Sequence, residues 1–552
     1  MASAAPLPEG PAAAEKKVAE AATADPETLA ADTEKEDGTI VQTDTTLHGF
    51  RLGAVVAGVC LGSLMISLDV TIIATAIPSI TSDFGDTSQI AWYPAAFTFA
   101  TCSITPLAGK MAAVFPINRV YLSFMAIFLC GSILCGWAPT NSAFIAGRAI
   151  AGIGSAGVAA NGMTILVKVA EPRKKPMFVG LAAGCFAIGL VLAPVIGGVF
   201  TARATWRWCF WVNIPVVALS FAVISLFFRP PESQKETLST RLRKLDLVGS
   251  AIFIPTVFML LFAMQQGGQN HPWNSATIIG LFVGSGVMML LFVAWEWRKG
   301  NGAMIPADVV TRRTVFFAVL FAFCHMGSLT IATYYLPQWF QVVEGVDPFQ
   351  SGIRYLPTAV TQIIMTMTAS SLALRLKYYN PWFFLAPIFL ITASALYTQF
   401  TAFSTPPGHW IGFQVIQGIA GGWGMQMSSL AVQLELKDSP DLLPVGIALV
   451  SFLQYLGASV VQVIAGAVFN SELRQQLLGS VGLTAEQMGL LLGAGTRSVR
   501  DVADQNFPEL LNPVLEAYNT ATTRVFFVPL AGAAVAFFLA FGIKWTKIEG
   551  AK

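Results

Sequence analysis

The chain has 552 residues, 55% hydrophobic and only 12% charged, with 33 Lys and Arg against 31 Asp and Glu, and its mean hydropathy is +0.63. Soluble globular domains carry about a quarter of their residues as charges, so this composition excludes one, and a net charge of +2 gives no footing for nucleic acid. An all-α polytopic membrane protein is expected.

Residues 1–48, rich in Ala, Glu, Thr and Asp, cannot bury a core and are expected as a disordered cytoplasmic tail; they show no signal peptide. Apolar runs long enough to cross a bilayer follow at about 52–77, 90–109, 119–138, 143–167, 177–201 and 208–228. A charged break leads to 247–265 and 276–295. Six further runs, at about 314–342, 352–374, 381–403, 409–431, 443–469 and 523–543, bring the expected count to fourteen. Six, two and six predict an N-terminal six-helix bundle over 49–228, a linker carrying two extra helices over 229–313, a C-terminal six-helix bundle over 314–545 and a short tail over 546–552. Parallel six-helix halves are a transporter architecture. Inside the second half, 471–522 alternates apolar and polar residues at helical spacing and is expected as short amphipathic helices on the outer face, forming either a cap or a linker.

Basic residues gather in alternate loops, among them Lys110 and Arg119, then Lys168, Arg173, Lys174 and Lys175, then the group from Arg229 through Lys235 to Lys244. The positive-inside rule then places both termini in the cytoplasm. Arg203 and Arg207 are exceptions to the alternation.

In the fifth run, Gly180, Gly184, Gly189, Gly197 and Gly198 accompany Pro194. Such residues weaken a soluble helix but permit close packing and bending in lipid. On a straight helix Gly180 and Gly184 share one face and Gly189, Ala193 and Gly197 roughly the opposite one, so neighbours can approach on both sides.

Ionisable groups inside spans are functional candidates by default. Asp69 is the one carboxylate deep in a predicted span, about 12 Å from its outer end near Ile77 at 1.5 Å per residue, and Arg148 lies about 8 Å below the outer end of the fourth span. The two depths are similar enough for a pair. Such a pair is either a static link between helices or a carboxylate whose protonation helix movement gates. His325, in the ninth span, and the amides Gln338, Gln426 and Gln454 need partners or a wet cavity and are candidates for a substrate cavity. Trp92, Tyr93, Tyr334, Tyr335 and Trp339 fall near predicted outer ends and read mostly as interfacial anchors. No histidine shows metal-ligand spacing and no Walker A loop occurs, so neither a metal, a cofactor nor enzymatic activity is expected.

Several stretches together resemble one family. Leu68-Asp69-Val70-Thr71-Ile72-Ile73 with Ala76-Ile77-Pro78, Gly147-Arg148-Ala149-Ile150-Ala151-Gly152, the glycine-rich fifth span, Trp206-Arg207-Trp208 with Asn213-Ile214-Pro215, and Tyr335-Leu336-Pro337 are similar to motifs of fourteen-span drug:proton antiporters of the major facilitator superfamily. The fungal type, which includes toxin efflux carriers, fits best, over about residues 50–545. Two departures stand out. Ala193 occupies a position that is usually glycine, and Ala113 follows Gly109-Lys110-Met111 where an aspartate is common.

The resemblance implies a major facilitator fold and proton-coupled export of a hydrophobic small molecule by alternating access. It assigns the proton to Asp69 and Arg148, and the conformational change to Gly180, Gly189, Pro194, Gly197 and Gly198. A monomer in the plasma membrane is expected, with the vacuolar membrane as the alternative location. Import or facilitated diffusion of a nutrient or siderophore is the alternative function.

Overall fold

The computed structural model describes residues 47–84, 89, 92–171, 174–229, 237–268, 271–493 and 495–547. Most of the two expected tails, together with Arg173 and Lys235, lies outside the described residues, as does the side chain of Pro194. Regular structure among the described residues is helical, apart from isolated bridges between Gly267 and His271 and between Tyr378 and Lys547.

Five long helices open the fold: α1 (Gly49–Phe84), α2 (Trp92–Val114), α3 (Ile117–Gly136), α4 (Asn141–Val169) and α5 (Lys175–Arg203). A single turn, Trp208–Trp211, leads into α6 (Asn213–Phe227). A short helix, Leu238–Lys244, precedes α7 (Leu247–Gln266) and α8 (Ala276–Lys299). Then come α9 (Arg313–Val342), α10 (Leu356–Leu376), α11 (Asn380–Tyr397), α12 (Pro407–Gly424), α13 (Leu443–Gly479) and α14 (Phe527–Ala540). Helix starts follow their capping chemistry: Thr140 accepts from the Ala143 amide, Asp246 from Gly249 and Ser275 from Ile278.

Among the described residues, 11 helices are long and apolar enough to cross a membrane. The helices α2, α10 and α12 are not among them, because each is diluted by Thr, Ser, Gln or Gly. Their polar groups bond inside the protein instead of facing lipid. Thr101 of α2 donates to the Gly152 carbonyl at 3.0 Å, and Thr358 of α10 donates to Gln414 of α12 at 3.1 Å.

Several expected boundaries shift. The first helix runs on to Phe84. The run at 208–228 divides after Trp211, and 409–431 breaks at Met425 and Gln426 before resuming as Met427–Glu435. The segment 471–522 forms Ala485–Gly493, Gly495–Asn506 and Leu511–Val525. Their apolar residues Met488, Val499 and Val514 join Leu473 and Leu477 of α13 in one core against the end of α9. Arg500 donates to the Val343 carbonyl at 3.2 Å. The segment is thus folded onto the second helix set.

Helices α1 to α6 pack mainly among themselves, and α9 to α14 do likewise. In the first set, α1 lies on α5, α6 and α4, while α3 and α4 meet through glycine: a Cβ at Gly154 would lie 2.5 Å from Phe128 Cα. In the second, α9 lies on α13 and α14, and α12 on α10 and α11. The two sets meet along α2 with α13 and α5 with α10. The second helix of each set thus meets the fifth of the other, as two similar halves facing each other would. At the α2–α13 contact a Cβ on Gly109 would overlap Ala448 and come within 2.9 Å of the Pro444 carbonyl oxygen.

The inserted pair covers this seam. Phe258 and Phe262 of α7 lie 5.7 Å from Phe99 and 5.1 Å from Trp92, both from α2 or its first residue, while Phe253 lies 5.2 Å from Phe452 of α13. At the ends of these helices one peptide group is held from both sides. The buried Lys110 of α2 donates to the Ala303 carbonyl at 2.6 Å, and Glu296 of α8 accepts from the Met304 amide at 3.2 Å and from Ile305 at 2.7 Å. The carbonyl of Ala303 and the amide of Met304 belong to the same peptide plane, so α2 and α8 grip the chain that leads into α9.

Candidate functional site

Asp69 projects from α1 into the middle of the first helix set and is 0% exposed. Since α1 continues to Phe84, its carboxylate lies 15 residues before the helix end, about 22 Å, deeper than the sequence reading placed it. Arg148, 1% exposed on α4, brings Nη1 to 2.5 Å from Asp69 Oδ2, while its Nε donates to the Tyr93 carbonyl at 3.1 Å. The guanidinium also lies over the Phe97 ring, 4.6 Å from its centroid, where an arginine gains from the ring quadrupole. Asn213, the first residue of α6, donates to Asp69 Oδ1 at 2.9 Å and to Ser132 at 3.2 Å.

Both carboxylate oxygens are therefore bonded, in a place that water does not reach. Donors replace the lost hydration, as a buried charge requires. Breaking such a pair from one side leaves an uncompensated charge, at a cost of about 3–5 kcal/mol. Through these bonds Asp69 ties α1 to both α4 and α6.

Gly189 and Gly197 of α5 pack against the same stretch of α1. A Cβ on Gly189 would lie 2.6 Å from the Leu64 carbonyl oxygen and 3.2 Å from the Leu68 amide, beside Asp69 itself. Gly197 is equally tight, 2.8 Å from Ile72 Cγ1 by the same measure, whereas Gly184 faces Ile363 of α10 at 3.5 Å. One face of α5 thus backs onto the carboxylate helix and another onto the opposite half, as the glycine spacing predicts. Gly198 departs from this pattern, with nothing within 4 Å. Gly180 is buried, and Pro194 falls within the helix.

Three of the four second-half candidates gather at the break in α12. A Cβ on Gly424 would overlap the imidazole of His325, Gln454 donates to the Met425 carbonyl at 3.0 Å, and Gln426 is buried at the break itself. His325 is 2% exposed and stacks on Phe321 at 5.1 Å. It sits inside the second set rather than on an open wall. Gln338 lies 13 residues further along α9, about 20 Å away, and joins none of them.

Three of the expected interfacial aromatics are core residues instead. Tyr93 donates to Asn141 at 2.5 Å and Trp339 to Asn519 at 2.7 Å, and Tyr335 is buried against Phe469. The polar tips of Tyr93 and Trp339 find partners in the protein, so they do not need the headgroup layer. Arg207, an exception to the loop-charge pattern, is paired. It bonds Asp83 at 2.7 Å and Trp206 bonds the same oxygen at 3.1 Å. The Arg207 bond, then that from Trp206, holds the Asp83 carboxyl below the usual aspartate range.

Asn213 and Tyr93 escaped the sequence reading as partners of the charge pair. The signal for Asn213 was depth: it lies about 8 Å below the start of its run at residue 208, level with Arg148.

Known proteins align with this architecture. Residues 59–462 match the Major Facilitator Superfamily. The chain is 39% identical over 512 residues to the MFS-type transporter poxA of Penicillium oxalicum, covering 92% of this chain and 90% of that protein. It is 37% identical to the rubrofusarin-specific efflux pump aurT of Gibberella zeae, covering 91% of each, and 34% identical to the MFS-type efflux pump MFS1 of Trichophyton rubrum, covering 93% and 94%. Among solved structures, the human organic anion transporter MFSD10 superposes with a TM-score of 0.55 at 14% identity, covering 87% of this chain and 99% of that one. A double-tryptophan variant of XylE gives 0.56 at 13%, covering 90% and 96%. At that identity the two structures speak for the fold alone. With the sequence relatives beside them, the chain belongs to the Major Facilitator Superfamily, a family of membrane transporters for small molecules rather than of enzymes.

Proposed function

We propose that the protein exports a hydrophobic small molecule in exchange for protons, by alternating access between two six-helix halves. In this reading fourteen helices cross the plasma membrane, both termini are cytoplasmic and the protein acts as a monomer. The observation that carries it is the water-sealed carboxylate of Asp69, pinned by Arg148 and Asn213, with the glycine face of α5 against the preceding turn. A structural ion pair alone has no need of a glycine helix packed on its backbone and on the opposite half. The relatives named as efflux pumps support the outward direction. Asp69 takes a proton when its side of the bundle opens outward and gives it up when it opens inward. His325, Gln426 and Gln454 belong to the half that carries the substrate contacts, with Gln338 nearer the outer end.

The energetics suffice. One proton moving down 100 mV supplies about 2.3 kcal/mol and one pH unit about 1.4 kcal/mol, enough for a several-hundred-fold gradient of a neutral solute. The test is uphill movement of a panel of hydrophobic toxins and dyes into proteoliposomes under an imposed pH gradient. Wild type should concentrate at least one compound, and Asp69→Asn should abolish accumulation while leaving binding intact. Equilibration of a solute by both proteins, with no response to the gradient, would make the protein a facilitator and Asp69 structural.

A further inference from the structure

We propose that the groove between the Leu238–Lys244 helix and the adjoining ends of α7 and α8 binds the headgroup of an anionic phospholipid. The groove has a volume of about 530 Å³ and is lined by Ser239, Leu242, Arg243, Asp246, Val248 and Lys299, with others. That is within the ordinary range for a small-molecule site. Its charge is arranged for an anion. Asp246, the one carboxylate in the lining, is 1% exposed and turned inward. It accepts from the Gly249 amide at 3.0 Å and from the Trp295 indole at 3.0 and 3.2 Å.

Arg243 and Lys299, by contrast, are exposed and stand in no ion pair among the described residues. Lys299 senses the charge of Asp246 and lies 5.7 Å from the Trp295 ring centroid, but it touches no carboxylate. Arg241, Lys244 and Arg298 add further positive charge on the same elements.

The rest of the groove points to a lipid rather than to a free anion. Its rim is apolar and uncovered: Leu242 is 44% exposed, Leu247 58% and Val248 48%. Trp297, two residues before Lys299, is 86% exposed, as tryptophans of the interfacial belt are. The groove therefore lies where two apolar helices end, with leucine and valine for acyl chains and a basic pair for the phosphodiester. Clusters of Lys and Arg at the end of a membrane helix are the chemistry that anionic lipids select. The proposal does not depend on what the transporter carries.

The test uses full-length protein in neutral detergent, following the unfolding midpoint as phosphatidylserine, phosphatidylcholine or inorganic phosphate is added. Phosphatidylserine should raise the midpoint and the other two should not. Replacing Arg243→Gln together with Lys299→Gln should weaken the phosphatidylserine effect by about fivefold per charge removed. Ser239→Trp, which fills the groove and keeps both cations, should weaken it as well. A midpoint in phosphatidylcholine equal to that of wild type shows that each variant is folded; if the double variant is not, Ser239→Trp decides. The proposal is overturned if wild type does not distinguish the two lipids, if the folded variants keep the full response, or if inorganic phosphate alone reproduces it.

Discussion

Two of the protein's aspartates meet arginines in opposite surroundings, and the difference sets what each can do. Asp69 is sealed with Arg148, so removing either partner strands a buried charge. Asp83 faces Arg207 near the surface, where the pair is screened and contributes little to stability. Its direction with pH is nonetheless defined. A carboxyl held below its unfolded value of about 3.9 contributes stability that is full above that pH and is lost as pH falls through the lower folded value. Arg207→Gln should therefore leave an acid-unfolding profile that differs from wild type only above the acid limb, with the two curves converging as Asp83 protonates. Tracking intrinsic fluorescence from pH 6 downward measures this. The pairing of Asp69 with Arg148 was legible in the sequence because both residues are rare in spans and their depths agree. Asn213 was not, because an amide in an apolar run has many possible partners and only the fold selects one.

At the level of single helices, α5 separates close packing from glycine content. Gly189→Leu should push α5 off the Leu64–Leu68 turn and abolish transport while the protein still reaches the membrane, since the side chain has no room against backbone atoms. Gly198→Leu meets open space and should keep most of the activity. Initial efflux rates normalised to surface expression compare the two, and equal losses would show that glycine content matters rather than the contact. Periodicity made this helix readable, since a repeat of small residues every four positions marks a face. It did not reveal the break at Met425 and Gln426, because no proline or charge punctuates it. There the break is accompanied by the Gln454 amide on the Met425 carbonyl, a contact from a distant helix. Likewise α2, α10 and α12 carry too much Thr, Gln and Gly for hydropathy alone, and only their partners explain why they are helices inside the bundle.

Across the whole molecule, the two helix sets touch along α2 with α13 and α5 with α10, so relative movement of the halves has to separate these seams. Gly109→Leu should wedge the α2–α13 seam at Pro444 and Ala448 and favour the state in which that end is open. A cysteine-reactive reagent applied from that side should then label a cysteine placed at Ala448 faster than in the Gly109 background.

The gripped peptide between Ala303 and Met304 bears on how this chain could be shortened. Joining residue 229 directly to 307 would remove both inserted helices along with the acceptor for the buried Lys110 ammonium, stranding a positive charge at the seam. A twelve-helix derivative built by simple excision should misassemble until Lys110 is also replaced by an apolar residue. The two inserted helices therefore do more than lengthen the chain: they carry the counterpart of a charge that the first half buries.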